Sequence, residues 1–224
     1  MGLKSLDHVA LWVADRDAIA EFAVAHLGMH VIDRTERFTL VGADARRGKL
    51  TLFEADGPRE PGALVRIGLR VNDLDHALAA LPSGESEELE IGEGLRVRLV
   101  EAETEVDYDF DHVTLRVRNP AGAAAAWNAL GFSDPMLVDD ARRLEVAGAF
   151  LELVPGDPGE PERPLLNHLG VLVDSADDWH RRAEEAGAEI ADLVDAANTY
   201  AVFIWGPERV KLEYVEHKPS FSLE

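Results

Sequence analysis

Apolar and polar positions alternate, or run apolar, over four short stretches: Asp7 to Val13, Val65 to Val71, Asp111 to Val117 and Asn167 to Val173. A period near two over about seven residues predicts β-strands. Each is followed by a segment rich in Ala, Glu, Arg and Leu, namely Asp15 to Leu27, Asp73 to Leu81, Ala121 to Leu130 and Asp174 to Ala186, where helix is expected. Most of these open on an Asp or Asn that can accept from first-turn amides. Gly28, Pro82, Gly131 and Gly187 stand where the helices should stop. Four closing strands then align as Leu50 to Phe53, Val97 to Val100, Leu151 to Val154 and Leu212 to Val215. The pattern predicts strand, helix and three strands, four times over. The acidic run Glu85 to Glu90 is expected to be a solvated loop.

The chain also repeats itself. Leu6 to Val13 matches Phe110 to Val117 at five of eight positions, an offset of 104 residues, and Leu27-Gly28 falls onto Leu130-Gly131 within one residue of that register. A repeat of this length divides the chain into two related halves, 1–105 and 106–224, joined through the acidic stretch Glu103 to Asp109. Pro- and Gly-rich segments, Gly57 to Gly62 and Pro155 to Pro164, separate the units within each half.

Composition narrows the chemistry. Of 224 residues, 46% are hydrophobic, which is too many for a disordered acidic chain. The 22 Lys and Arg against 43 Asp and Glu give a formal charge of −21. Such a surface repels phosphate backbones and anionic lipid headgroups, so nucleic acid and membrane are not expected as partners. No segment has the apolar length of a membrane span, and a cytoplasmic protein is expected. There is no cysteine, hence no disulfide, thiolate ligand or Cys nucleophile, and any metal must be held by His, Asp or Glu. Phosphate-cradling loops of the Walker or dinucleotide type do not occur in the sequence.

With the four units in register, two columns carry polar chemistry. The opening strands contribute His8, Arg66, His112 and His168, and the closing strands Thr51, Arg98, Glu152 and Glu213. Matching positions on equivalent strands point to one side of a curved sheet, so these side chains can converge in a concave surface. In the second half both columns hold metal-binding types, His112, Glu152, His168 and Glu213, whereas the first half pairs His8 with two arginines that would repel a cation. The other histidines, His26, His30, His76 and His180, fall in or just after helices and are expected to face solvent. His217 lies in the tail, and Phe203 and Trp205 could line an apolar wall.

These residues resemble the vicinal oxygen chelate superfamily, which includes glyoxalase I, extradiol ring-cleaving dioxygenases and bleomycin-resistance proteins. The resemblance is carried by Asp7-His8-Val-Ala-Leu, Asp111-His112-Val-Thr-Leu, Asn167-His168-Leu-Gly-Val, the Leu-Gly pairs after the helices, and Gly206-Pro207-Glu-Arg-Val-Lys-Leu-Glu213, and it spans nearly the whole chain. It implies an α+β fold of four βαβββ units paired into two domains, each a cup of curved sheet, with the 106–224 domain holding the metal. It further implies one divalent ion, Zn, Ni, Fe or Mn, on His112, His168 and Glu213, with Glu152 as a fourth ligand or as a base. In relatives that pair units across the halves, His8 replaces His112. Tyr200 and Phe203 are candidates for contacting substrate. Glyoxalase-like lyase or isomerase chemistry with Glu152 as base is expected on a small substrate with neighbouring oxygens. Extradiol ring cleavage and non-catalytic sequestration of a small molecule are the alternatives, in a monomer or homodimer.

Overall fold

A computed structural model describes residues 2–82 and 86–223. The first unit contains β1 (Ser5–Val13), α1 (Arg16–His26), β2 (His30–Arg34), β3 (Phe38–Gly42) and β4 (Lys49–Glu54). In the second are β5 (Leu64–Val71), α2 (Leu74–Ala79), β6 (Glu88–Glu90) and β7 (Arg96–Glu101). The third comprises β8 (Asp109–Val117), α3 (Pro120–Ala129), β9 (Met136–Val138), β10 (Ala141–Val146) and β11 (Ala149–Pro155). The fourth has β12 (Leu166–Leu172), α4 (Ala176–Glu185), β13 (Glu189–Asp195), β14 (Thr199–Trp205), a 3-10 turn at Pro207–Arg209, and β15 (Lys211–His217). All four helices begin on a side chain that accepts from a first-turn amide, supplied by Asp15, Asp73, Asn119 and Ser175. Among the described residues the second unit has one strand fewer after its helix. Part of the acidic run expected as a loop forms β6, while Glu85 lies outside the described residues.

The strands assemble into two mixed sheets in an α+β architecture. An eight-stranded sheet has the order β13-β14-β15-β12-β1-β4-β3-β2, and a seven-stranded one β6-β7-β5-β8-β11-β10-β9. This corrects the expected organisation, in which 1–105 and 106–224 would each close a cup. The first unit instead pairs with the fourth through antiparallel β1 and β12, and the second with the third through antiparallel β5 and β8. Both seams use the same register device: His8 lies opposite Gly170, and His112 opposite Gly68. A Cβ added to Gly170 would come within 2.2 Å of the His8 ring, and one added to Gly68 within 2.3 Å of His112, so each glycine leaves room for an imidazole to lie across its strand.

The first and second units, and likewise the third and fourth, stay attached although they belong to different sheets. Glu93, before β7, accepts from the amides of Ala14 (2.8 Å) and Asp15 (2.7 Å) at the start of α1. Glu208, before β15, accepts from the Arg118 amide (2.8 Å) and guanidinium (2.7 Å) at the start of α3. Both glutamates sit at positive φ, 52° and 55°, a conformation that costs an ordinary residue about 1 kcal/mol. Charge-assisted bonds to two donors each offset that cost. One apolar core, including Trp127, Tyr214, Phe110 and Ile19, runs beneath the helices of both sheets.

Candidate metal centre

From His8 onward, alternate positions of β1 face the concave side of the eight-stranded sheet, which brings His8, Ala10 and Trp12 to one wall. β12 adds His168 beside Ala10, and β15, parallel to β12, adds Glu213. All three polar groups are buried, at 8%, 5% and 7% exposure. His8 Nε2 lies 2.9 Å from His168 Nε2, and Glu213 Oε2 lies 2.9 Å from each. Among the described residues these are the His, Asp and Glu side chains whose donor atoms group closely enough to hold one ion.

The neighbouring polar residues fix which nitrogens face inward. His8 Nδ1 donates to Asp7 Oδ1 at 2.8 Å, and His168 Nδ1 donates to Asn167 Oδ1 at 3.0 Å. With Nδ1 carrying the hydrogen, each Nε2 presents a lone pair to the centre, where Glu213 presents another. Three acceptors 2.9 Å apart are mutually repulsive until a proton or a cation sits among them. Two ligands about 2.1 Å from a shared ion and at right angles to it stand about 3.0 Å apart, so the triangle has the dimensions of one face of an octahedral site. The donor set therefore fits a divalent ion.

Without an ion, a proton takes the place. Burial disfavours the imidazolium of His8, yet the Glu213 carboxylate and the Asp7 hydrogen bond push its pKa up to about 9. Glu213, against the opposing effect of burial, is held down to about 2 by His8 and His168. His168 shifts the other way: burial lowers it, Glu213 opposes that, and the charges of His8 and Lys211 lower it further. Asp7 is itself held well below the carboxylate range, burial notwithstanding, by Lys49, His217 and His8. Lys49 Nζ is 2.9 Å from Asp7 Oδ1 and donates to the Ala45 carbonyl at 2.7 Å. His217 Nε2 is 3.1 Å from Asp7 Oδ2 but off the line of a hydrogen bond. Aromatic rings complete the cup: Phe203 meets His168 edge-on with centroids 5.1 Å apart, and Phe53 lies 6.3 Å from His168 and 5.3 Å from Trp12.

The seven-stranded sheet repeats the columns with different chemistry. Its Arg66 occupies the position of His168, and its Glu152 that of Thr51. The Arg66 guanidinium donates to Glu152 Oε2 at 3.0 Å and lies 3.4 Å from His112 Nε2. Thr114 and Arg143 satisfy Glu152 further, at 2.9 Å each. Burial raises the pKa of Glu152, but Thr114, Arg143 and His112 outweigh it, and the net shift is downward. Here an arginine supplies the positive charge between imidazole and carboxylate.

His168 and Glu213 thus stand together, but with His8 rather than His112. His112 lies in the other sheet, stacked on Phe150 and hydrogen-bonded to Asp111 at 2.6 Å. Glu152 belongs to that sheet too, and a carboxylate already engaged by three donors is a weak base. Phe203 faces the cup beside Glu213. Tyr200, an odd number of residues away, is on the opposite face of β14, where the nearby Asp177 of α4 raises its pKa. Sequence reasoning gave no role to Lys49, nor to Asp7, Asn167 and Gly170, although these three lie in the motifs that carry the resemblance. The signal for Asp7 and Asn167 was the polar residue directly before each column histidine, the usual partner of a ligating imidazole.

The chain shares its fold with solved structures at low sequence identity. A Bacillus subtilis protein described as a "putative dioxygenase" aligns over 98% of this chain and 87% of its own, with a TM-score of 0.82 at 16% identity. Glyoxalase I from Zea mays aligns over 95% of this chain and 92% of its own, with a TM-score of 0.72 at 16% identity. The cppA protein of Streptococcus pneumoniae aligns over 96% and 98%, with a TM-score of 0.63 at 15% identity. No curated protein matches the sequence. No helix among the described residues is long and apolar enough to cross a membrane. Residues 5–97 match the model of the Glyoxalase/Bleomycin resistance protein/Dioxygenase superfamily, and along nearly its whole length the chain has the fold seen in glyoxalase I.

Proposed function

We propose that the protein is a divalent-metal-dependent enzyme whose ion is held by His8, His168 and Glu213 and which acts on a small molecule with two neighbouring oxygens. The observation that carries this reading is the convergence of three buried acceptor atoms at 2.9 Å, which nothing but a cation or a proton can satisfy. Asp7, Glu213 and Lys49 together carry a net charge of −1, which a divalent ion would turn to +1, a balance suited to a substrate that binds with one oxygen deprotonated. When bound, the ion would supply Lewis-acid polarisation of the substrate oxygens at the positions that three ligands on one face leave open. Asp7 and Asn167 hold the two imidazoles in the ligating tautomer, while Phe53 and Phe203 keep water from the ring faces.

Two reaction classes compete within the superfamily's repertoire. The glyoxalase-like proton transfer needs a carboxylate base in the same cup, and the position matching Glu152 is Thr51. Two imidazoles and one carboxylate on one face, with no second carboxylate ligand, favour oxygen chemistry of the dioxygenase kind with Fe(II) or Mn(II). Elemental analysis of protein purified without added metal tests the reading, followed by oxygen uptake with catechol after reconstitution. One equivalent of Fe or Mn with substrate-dependent oxygen uptake supports it. Zn or Ni with turnover of an α-hydroxycarbonyl thioester and no oxygen uptake would move it to the isomerase class. Failure to bind any divalent ion would leave a sequestering protein.

A further inference from the structure

The cup has one closed end and one open end. At the closed end, beyond His8, the pair Asp7–Lys49 is capped by His217 stacked on Phe221 at 4.1 Å, with Lys49 Nζ 5.8 Å from the Phe221 ring. At the other end lies a cavity of about 550 Å³ lined by Trp12, Leu166, Trp205, Lys211 and Arg163. Strand alternation ties it to the metal site: Lys211 is two residues before Glu213, Trp205 two after Phe203 and Trp12 four after His8, each on the same face as its neighbour. Two residues of strand span ~7 Å, so the cavity begins about that far from the three converging atoms.

Its electrostatics run against those of a chain with net charge −21. Of the lining cations, Arg118 is taken by Glu208 at 2.7 Å and Arg209 by Glu189 at 2.8 Å. Lys211 and Arg163 have no carboxylate partner among the described residues. Lys211 Nζ instead lies 5.0 Å from the Trp205 ring centroid, and the Arg163 guanidinium 6.0 Å from that of Trp12. Of the lining carboxylates, Glu208 and Glu160 lie on Arg118, and Glu162 is exposed on the same rim loop as Arg163. Two indoles and two unspent cations make walls for a flat organic anion.

Resting on the metal reading above, we propose that this cavity is the substrate chamber and that the substrate is a flat carboxylate. Its ring lies between Trp12 and Trp205, and its carboxylate meets Lys211 and Arg163 about 7 Å from the two oxygens directed at His8, His168 and Glu213. A charge-assisted contact of this kind favours the anion by about tenfold or more over a neutral analogue.

Quenching of tryptophan fluorescence reads binding directly, in two arms. In metal-loaded protein, 3,4-dihydroxybenzoate should bind about tenfold more tightly than catechol, and both Lys211→Gln and Arg163→Gln should shrink that preference to about twofold. In metal-free protein, benzoate should bind more tightly than benzamide by a similar factor, with the same loss in the two variants. Circular dichroism and thermal unfolding verify that the variants fold. Equal affinities for anion and neutral analogue in both arms, or a preference untouched by either substitution, would overturn the proposal. A preference that persists in the metal-free arm when no ion binds would uphold the chamber and sink the metal reading instead.

Discussion

At the scale of single residues, the candidate centre depends on side chains that never touch the ion position. Asp7 orients His8, is neutralised by Lys49 and lies against His217, all in a buried setting. Partners of this kind set the tautomer and basicity of a ligating imidazole, and their loss usually costs 10–100-fold in affinity. Asp7→Asn should therefore weaken metal binding by about 10–100-fold, measured by competition with a chelator, whereas His168→Ala should abolish it. The same network predicts a pH signature in metal-free protein. The groups facing His8 are Asp7 on its own strand, Lys49 on β4, His168 on β12, and Glu213 and His217 on β15. His8 has an ordinary pKa of 6.5 and a folded value of about 9, so between these pH values the folded state holds a proton that the unfolded chain has released. That contribution to stability is complete below pH 6.5 and is lost as the pH rises to 9. Urea unfolding of chelator-treated protein should accordingly show stability declining from pH 6.5 to 9. Added metal should remove the decline, because deprotonated ligands bind an ion more tightly. A metal-free protein that grows more stable over this range would refute the protonated His8.

Elements were the most legible level of the sequence. Each of the four opening strands, four helices and four closing strands lies within a few residues of where alternation and capping residues put it, because those signals are local. Ser175 rather than Asp174 caps α4, and β6 occupies part of the acidic run, since the single alternation of Glu88-Leu89-Glu90 is too short a pattern to reveal a strand. The glycines two residues after Arg66 and His168 had no evident purpose until the strands were paired. They are the seats over which His112 and His8 lie, at equivalent places in the two sheets. Because the geometry is the same and the chemistry differs, the pair forms a matched experiment. Gly170→Ala must push His8 out of its position and should lower metal affinity at least 100-fold. Gly68→Ala displaces His112 by the same contact and should cost about 1–3 kcal/mol of stability with metal binding retained. Isothermal titration and thermal unfolding of the two variants read both numbers, and equal loss of metal from both would contradict the assignment.

The pairing of units belongs to the whole molecule, and it was not legible from the strands themselves. Asp7-His8-Val and Asp111-His112-Val have nearly the same pattern, and both Gly68 and Gly170 can receive an imidazole, so local sequence permits either partner. Long-range charge distinguishes the two arrangements. Pairing the third unit with the fourth would place Glu152 and Glu213 in one cup, and pairing the first with the second would leave Arg66 and Arg98 beside His8 with no carboxylate in either column. The observed exchange gives each cup one carboxylate, and each carboxylate an imidazole with either a second imidazole or an arginine. Buried charges are costly unless paired, so the exchanged arrangement is the one in which none is stranded. The Glu93 and Glu208 bonds show how the chain exchanges partners while keeping successive units in contact. One measurement on the intact chain separates the two topologies. If the sheets combine first with fourth and second with third, His8→Ala removes a ligand and should reduce metal from one equivalent to none after dialysis, while His112→Ala leaves the equivalent in place. If the halves closed on themselves, the two outcomes would be reversed. Arg66 sharpens the comparison, because it already supplies the charge that His112 and Glu152 face. Arg66→Ala should therefore destabilise the protein by about 1.5–3 kcal/mol, the value of a hydrogen bond to a charged group, since Thr114 and Arg143 still donate to Glu152, and it should release no metal.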